Sequence, residues 1–297
     1  VWARYNQIST LPEAFGNLDS LKFLNMSYNQ ITQLPASITD LESIESLLFD
    51  GNEIAFIPED IGNLTTLYVL GLIGNNIDEV PESIGNLGAL EILGLASNNI
   101  SELPESFGYL EADSIYLNNN LIAELPSTMF DNAFDMLLLY YNYLQFGSIE
   151  PFIGNVQYDF AYSPQGRIGN DTTITAPSGQ LFTFAIEVSG ENNQYAWFKN
   201  GALIAGQTTN TLQLPAISEE DEGFYHMEVT NTVVPELTLV SDSLELVVRV
   251  CNPWEFTTTS RVHTISVPAS ANPNIDGEPL MDGDWIGVFF LNNDDEE

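Results

Sequence analysis

Positive charge is what this sequence has least of. Six Lys and Arg stand against 42 Asp and Glu, a formal net charge of -36, so phosphate backbones and anionic membranes are repelled at long range. Nucleic acid is therefore not expected as a partner. A lone cysteine, Cys251, rules out an internal disulfide or a multi-cysteine metal site. No apolar run reaches the roughly 18 residues needed to span a membrane, and "VWARYNQIST" has neither the basic region nor the apolar core of a signal peptide. The motifs G-x-S-x-G and H-E-x-x-H and the P-loop are missing. The two histidines, His226 and His263, stand near no nucleophile motif, and carboxylate pairs are too common in so acidic a chain to mark a glycosidase-like site. Apolar residues are not scarce: at 44% of the chain they support ordinary cores beneath an acidic coat rather than disorder.

What is present is a period. Asn6, Asn29, Asn52, Asn75 and Asn98 recur every 23 residues, and Asn120 and Asn142 follow at intervals of 22. Aligned on them, "LKFLNMSYNQI", "IESLLFDGNEI", "LYVLGLIGNNI" and "LEILGLASNNI" fit L-x-x-L-x-L-x-x-N-x-I. A repeat of this length marks a solenoid. The pattern predicts one short strand per coil, with Leu70 and Leu72 alternating inward and the chain then turning so that Asn75 and Ile77 also face the core. A column of buried asparagines could donate to and accept from the backbone at each turn. Between them lie "LPEAFGNL", "IPEDIGNL", "VPESIGNL" and "LPESFGYL", where Pro suits the start of a short helical turn and Gly its end, on the convex back.

These segments resemble leucine-rich repeat proteins of the 23-residue L-P-x-x-I-G-N-L class, over residues 1 to about 165. "LPSTMFDNAFDMLLLYYNYLQF" is read as an irregular last coil, and "GSIEPFIGNVQYDFAYSPQ", with no ladder Asn at the expected place, as a cap. The first residues enter the pattern midway, with Val1 and Ala3 at the two strand leucine positions, so the protein is expected to continue upstream.

After "SPQGRIGNDTTITAPSG" alternation replaces the period, with Phe182, Phe184, Ile186 and Val188 on one face of a strand. "YAWFKNG", "TLQLPAI", "SEEDEGFYHMEV" and "SDSLELVV" continue as short strands, a series that suggests a β-sandwich. Trp197 before "FKNG", with Asp221, Gly223 and Tyr225, resembles the immunoglobulin-like domain, which implies Trp197 as core tryptophan and Tyr225 as corner tyrosine. Met227 and Ile186 stand where that family carries its disulfide. The final stretch, with "RVHTISV" and "DWIGVFF", resembles the start of a β-rich module of secreted bacterial surface proteins. That resemblance implies a cut module and a partner for Cys251 beyond residue 297 in an oxidising compartment. The fold expected is multidomain: a leucine-rich repeat α/β solenoid over 1–166, an all-β immunoglobulin-like sandwich over 167–250 and a truncated β-rich module over 251–297.

On the concave face of the solenoid the expected binding residues are Trp2, Arg4, Tyr5, Asn25, Ser27, Tyr28, Leu48, Asp50, Ile73, Tyr116, Asn118, Asn119, Leu138, Tyr140 and Tyr141, with Gly51, Gly71, Gly74, Gly94, Ala96 and Ser97 between them. Only Arg4 and Asp50 are charged in this set, and depleted charge with enriched tyrosine is the composition of an interaction surface. Short strands also favour Tyr for packing reasons alone. Tyrosines over a small-residue floor could stack sugar rings or grip a protein loop. "NPNIDG" mimics the start of an EF-hand loop but places Gly283 where the loop needs Glu; Asp276, Asp282 and Asp284 are the remaining calcium candidates, equally explained as solvated turn acids. No cofactor is otherwise implied.

The resemblance to internalin-like proteins, which place leucine-rich repeats beside an immunoglobulin-like domain, implies a non-enzymatic adhesion role outside the cell or at its surface. Two other readings are accessory modules of a secreted enzyme whose catalytic domain lies outside this sequence, and a stalk with no ligand of its own.

Overall fold

The structure, a computed structural model, describes residues 1–130 and 132–249 and, beyond them, the backbone of Glu255–Thr258, His263–Ser266, Asn274–Ile275 and Glu278–Pro279. Cys251, Asp276, Asp282, Asp284 and the "DWIGVFF" segment lie outside the described residues. Contacts divide the chain into two compact units. The first comprises Val1–Gly169 with Glu187–Tyr195 and Glu228–Ser241; the second comprises Asn170–Ile186, Ala196–Met227 and the segment from Asp242.

In the first unit seven strands form one parallel sheet in chain order: β1 (Phe23–Asn25), β2 (Ser46–Leu48), β3 (Val69–Gly71), β4 (Ile92–Gly94), β5 (Ser114–Tyr116), β6 (Phe134–Leu138) and β7 (Val156–Ala161). Equivalent residues of successive coils are in register, so Leu24, Leu47, Leu70, Leu93, Ile115 and Leu137 stack into one fully buried column. The strands are short because the chain turns soon after each one. The residue before every ladder asparagine, Tyr5, Tyr28, Gly51, Gly74, Ser97, Asn119 and Tyr141 in turn, has φ between 55° and 68°. Only glycine adopts that left-handed conformation freely, and each side-chain-bearing residue there costs about 1–2 kcal/mol.

The asparagines hold these turns. Asn75 donates from Nδ2 to the carbonyls of Phe49 (3.1 Å) and Leu72 (3.0 Å), while its Oδ1 accepts from the Ile54 N–H (3.0 Å). Asn29, Asn52, Asn98, Asn120 and Asn142 make the equivalent set, each linking its own coil to the preceding one. Asn6 is exposed and bonds only to Ala3 and Arg4 of its own turn.

The stretch read as a cap differs from its expectation. It supplies β7, and Gln165, 23 residues after Asn142, takes the ladder place with a longer side chain. Its Nε2 donates to the carbonyls of Leu139 (3.0 Å) and Tyr162 (2.5 Å), and its Oε1 accepts from the Leu144 N–H (3.1 Å).

The back is built from 3₁₀ turns, among them Glu13–Asn17, Ala36–Asp40, Glu82–Asn86 and Glu105–Tyr109, each following a proline in extended conformation. The Gly of L-P-x-x-I-G-N-L has a reason other than ending the turn. A Cβ on Gly16, Gly62 or Gly85 would overlap the carbonyl oxygen of Ser37, Ser83 or Ser106, and one on Gly108 would overlap Thr128. Glycine there is what lets successive coils stack closely.

The strands of the next region are β8 (Thr172–Pro177), β9 (Phe182–Ala185), β10 (Asn193–Lys199), β11 (Ala202–Leu203), β12 (Thr211–Leu214), β13 (Gly223–Asn231), β14 (Thr238–Val240) and β15 (Leu244–Arg249). They form a mixed sheet, β11-β10-β13-β15-β8 with β14 also on β13, and a separate antiparallel pair, β9 with β12. This arrangement is consistent with an immunoglobulin-like domain. Within the second unit Trp197 is fully buried, donates from Nε1 to the Thr209 carbonyl (2.9 Å) and meets Phe184 edge-on. The Tyr225 hydroxyl donates to the Asp221 carbonyl (2.6 Å), and Met227, two residues on, is fully buried.

Candidate recognition surface

Strand geometry sends alternate residues to opposite faces, and the inward leucines leave Leu48, Gly71, Gly94, Tyr116 and Leu138 on the concave side. At the N-terminal end of this face the aromatics pack on one another. Tyr5 and Tyr28 are stacked, with ring centroids 4.6 Å apart and planes within 5°, because both occupy the left-handed position of adjacent coils. The Arg4 guanidinium lies 5.1 Å from the Tyr5 centroid and 5.7 Å from that of Tyr28, within cation–π range. Trp2 stacks on Phe23 at 4.9 Å and stays 71% exposed.

The Tyr28 ring is supported from the next coil by an absence. A Cβ on Gly51 would sit 2.7 Å from Tyr28 Cδ1, so only glycine admits the ring there. Gly74 follows, and the column continues through Ser97 and Asn119, joined by a 3.0 Å bond from Asn119 Nδ2 to Ser97 Oγ. It ends at Tyr141, which meets Tyr140 edge-on at 5.4 Å.

Asp50 lies across the neighbouring strand. Its Oδ1 accepts from the Ile73 N–H (2.9 Å), its Oδ2 is 3.5 Å from Ser27 Oγ, and Gly71 leaves room for it: a Cβ there would be 3.0 Å from Oδ1. Burial pushes the carboxyl above the usual carboxylate range, opposed by the Ile73 and Ser27 hydrogen bonds and by the charge of Arg4. Among the described residues no ion pair reaches Asp50; Lys22–Glu45 is an ion pair elsewhere.

Of the expected surface residues, Trp2, Arg4, Tyr5, Tyr28, Ile73, Asn119 and Tyr141 are exposed, while Leu48, Asp50, Tyr116, Asn118, Leu138 and Tyr140 are half-buried. Asn25 and Ser27 are buried: Asn25 turns its Oδ1 back to the Ser27 N–H (3.0 Å), leaving both to support the face rather than present themselves on it. The left-handed column was not legible beforehand, although Gly, Ser and Asn at four of its seven positions are the residues that tolerate positive φ. Among the described residues no group of three or more His, Cys, Asp or Glu could hold a metal ion. His226 stacks on Phe198 at 4.9 Å. What the surface offers is contact: aromatic edges, a glycine floor and two opposite charges.

A family model described as "Leucine rich repeat" matches residues 4–54, and a second, "Leucine Rich Repeat", matches residues 89–110. The N-terminal domain is a leucine-rich repeat domain. The crystal structure of PEPR1-AtPEP1 shares its fold at TM-score 0.52 and 22% identity, covering 59% of this chain and 25% of that one. The chain thus spans about a quarter of the length of that protein. Internalin C2 from Listeria monocytogenes aligns at TM-score 0.47 and 22% identity over 53% of this chain and 68% of that one. The four N-terminal immunoglobulin domains of Dscam1 align at TM-score 0.23 and 26% identity over 26% of this chain and 18% of that one. Among the described residues no helix is long and apolar enough to cross a membrane.

Proposed function

We propose that this is a non-enzymatic recognition protein, extracellular or displayed at a cell surface, which holds a protein or glycan partner on the concave face of its leucine-rich repeats. The observation that carries this reading is the contrast between that face and the rest of the chain. In a sequence of net charge -36 the fifteen expected binding positions carry two charged residues, while Trp2, Tyr5, Tyr28 and Tyr141 stand exposed at the ends of the face. Exposed aromatics around a neutral floor are what association rewards and what folding alone does not explain. In this reading residues 167–250 form an immunoglobulin-like sandwich serving as a spacer, and 251–297 begin a further β-rich module.

The test is a triple substitution, Tyr28→Ala, Tyr116→Ala and Tyr140→Ala, in a chain whose circular dichroism is unchanged. Labelled protein is then applied to whole cells and to a glycan array. Loss of the binding shown by the unsubstituted chain supports the concave face as the binding surface; unchanged binding removes it.

A further inference from the structure

Asp50 is the one acid among the expected concave positions, and its surroundings specify what it can receive. Its Oδ1 is committed to the Ile73 N–H at 2.9 Å, Oδ2 meets the Ser27 hydroxyl at the 3.5 Å limit of a hydrogen bond, and the N–H of Asp50 itself also acts on the carboxylate. A carboxylate has about four lone-pair sites, so Asp50 retains capacity toward the open side of the sheet. Arg4 is the only cation in the set of concave positions, and it rests over the rings of Tyr5 and Tyr28 without coming within ion-pair distance of Asp50. The carboxylate is thus partly stripped of water, its direct donors are neutral, and Arg4 acts on it only from a distance. Aliphatic Leu48 and Ile73 flank it, and the missing side chain of Gly71 leaves the space that Leu48 Cδ2 and the carboxylate occupy.

We propose that Asp50 is the subsite for a basic side chain, Lys or Arg, presented by a polypeptide partner lying across the concave face. This rests on the reading of that face as a binding surface and names the chemistry of what it binds. Bringing a cation to a half-buried carboxylate recovers interaction that water no longer supplies, and the long-range field of a chain at net charge -36 draws cationic partners toward it. The aliphatic stem of Lys or Arg fits against Leu48 and Ile73 while its head reaches the carboxylate. A sugar is the weaker fit at this point. Stacking needs a free aromatic face, and Tyr28 has Tyr5 on one side at 4.6 Å and lies against Gly51. The ring offers its edge to a partner.

The experiment uses the whole chain, isotope-labelled, with the Ile73 amide as reporter because that N–H donates to Asp50 directly. The probes are end-blocked Gly-Arg-Gly, the isosteric neutral Gly-citrulline-Gly, and glucosamine. The arginine peptide is expected to shift the Ile73 amide saturably, with the citrulline peptide binding at least about tenfold more weakly, the weight of a hydrogen bond to a charged group. Asp50→Asn keeps an acceptor for Ile73 and should abolish the difference between the two peptides while leaving the melting temperature no lower. Equal shifts from both peptides, no shift from either, or an undiminished preference for arginine in Asp50→Asn would each overturn the proposal. A response to glucosamine alone would overturn it in favour of an amino sugar. Failure here, with the triple tyrosine variant still losing its binding, sinks the Asp50 subsite and leaves the surface standing. If that variant also binds as before, the surface itself is wrong.

Discussion

Replacing Asn75 by alanine tests the ladder where it is complete on both sides. The side chain makes three hydrogen bonds, yet they are not equivalent. The Phe49 carbonyl also accepts from Asn52 Nδ2 at 2.9 Å, and that of Leu72 also accepts from Asn98 Nδ2 at 3.0 Å, so each keeps one donor when Asn75 is removed. The Ile54 N–H has no second acceptor and is left orphaned inside the core. An unsatisfied buried N–H costs about 1–3 kcal/mol, and the two weakened carbonyls add about 0.5 kcal/mol each, for a loss of about 2–4 kcal/mol. Urea unfolding of the whole chain should show that loss. Because each coil touches only its neighbours, exchange of the Ile54 amide should accelerate by a factor of about 30 to 1000 while distant coils change less. Asn6→Ala is the control, since Asn6 is exposed and bonds within its own turn; its cost should stay within about 0.5 kcal/mol. An Asn75→Ala loss below about 0.5 kcal/mol, or one matched by Asn6→Ala, would refute the account of the ladder as a satisfier of buried backbone.

Gly85→Ala places a methyl group against Ser106 and should cost about 1–3 kcal/mol in urea unfolding, whereas Gly88→Ala, with nothing within 4 Å of its new Cβ, should be neutral or stabilising by up to about 1 kcal/mol. Gln165→Ala strands the Leu144 N–H and should lower stability by about 1–2 kcal/mol, read most directly as faster exchange of that amide. Burial, and secondarily the charge of Asp221, push the Tyr225 hydroxyl up to about 12, so the folded protein holds a proton that the unfolded chain releases near 10. Its contribution is therefore full below about pH 10 and lost as pH rises toward 12. Tyr225→Phe should cost about 1 kcal/mol at neutral pH and flatten the alkaline fall of the urea midpoint.

The solenoid was legible because its signal is redundant: seven asparagines at intervals of 22 and 23 residues fix the register of every coil, and each strand's inward leucines follow from it. Gln165 was missed for the complementary reason. Its side chain does the same chemistry from the right interval but is the wrong letter, and a pattern written in residue names hides a position defined by hydrogen bonds. The glycine of L-P-x-x-I-G-N-L was legible as a position but not as a cause. Its constraint comes from a residue one coil away, Ser106 in the case of Gly85, and local turn rules do not contain that contact. The concave face was the least readable part. Alternation places Asn25 and Ser27 outward, and only the packing between coils shows that both are covered.

Stability and recognition meet in the column of left-handed residues. Each stands immediately before a ladder position, so from Tyr28 onward the buried side chain that bridges two coils also fixes the backbone at the residue before it. Tyr28 illustrates the coupling: Asn29 anchors its turn from below, Tyr5 and Gly51 hold its ring from either side, and the strained φ of 58° is sustained by all three. A solenoid built this way can change what it recognises by substitution along the column without touching the asparagines. The substitutions remain constrained in a way a flat sheet would not impose, since a large residue in one coil requires glycine or a stacking partner in the next. The sequence of sizes along the column, Tyr, Tyr, Gly, Gly, Ser, Asn, Tyr, is then a packing solution as much as a binding one. The residue after Asp50 is glycine because the Tyr28 ring occupies the space that a side chain there would need.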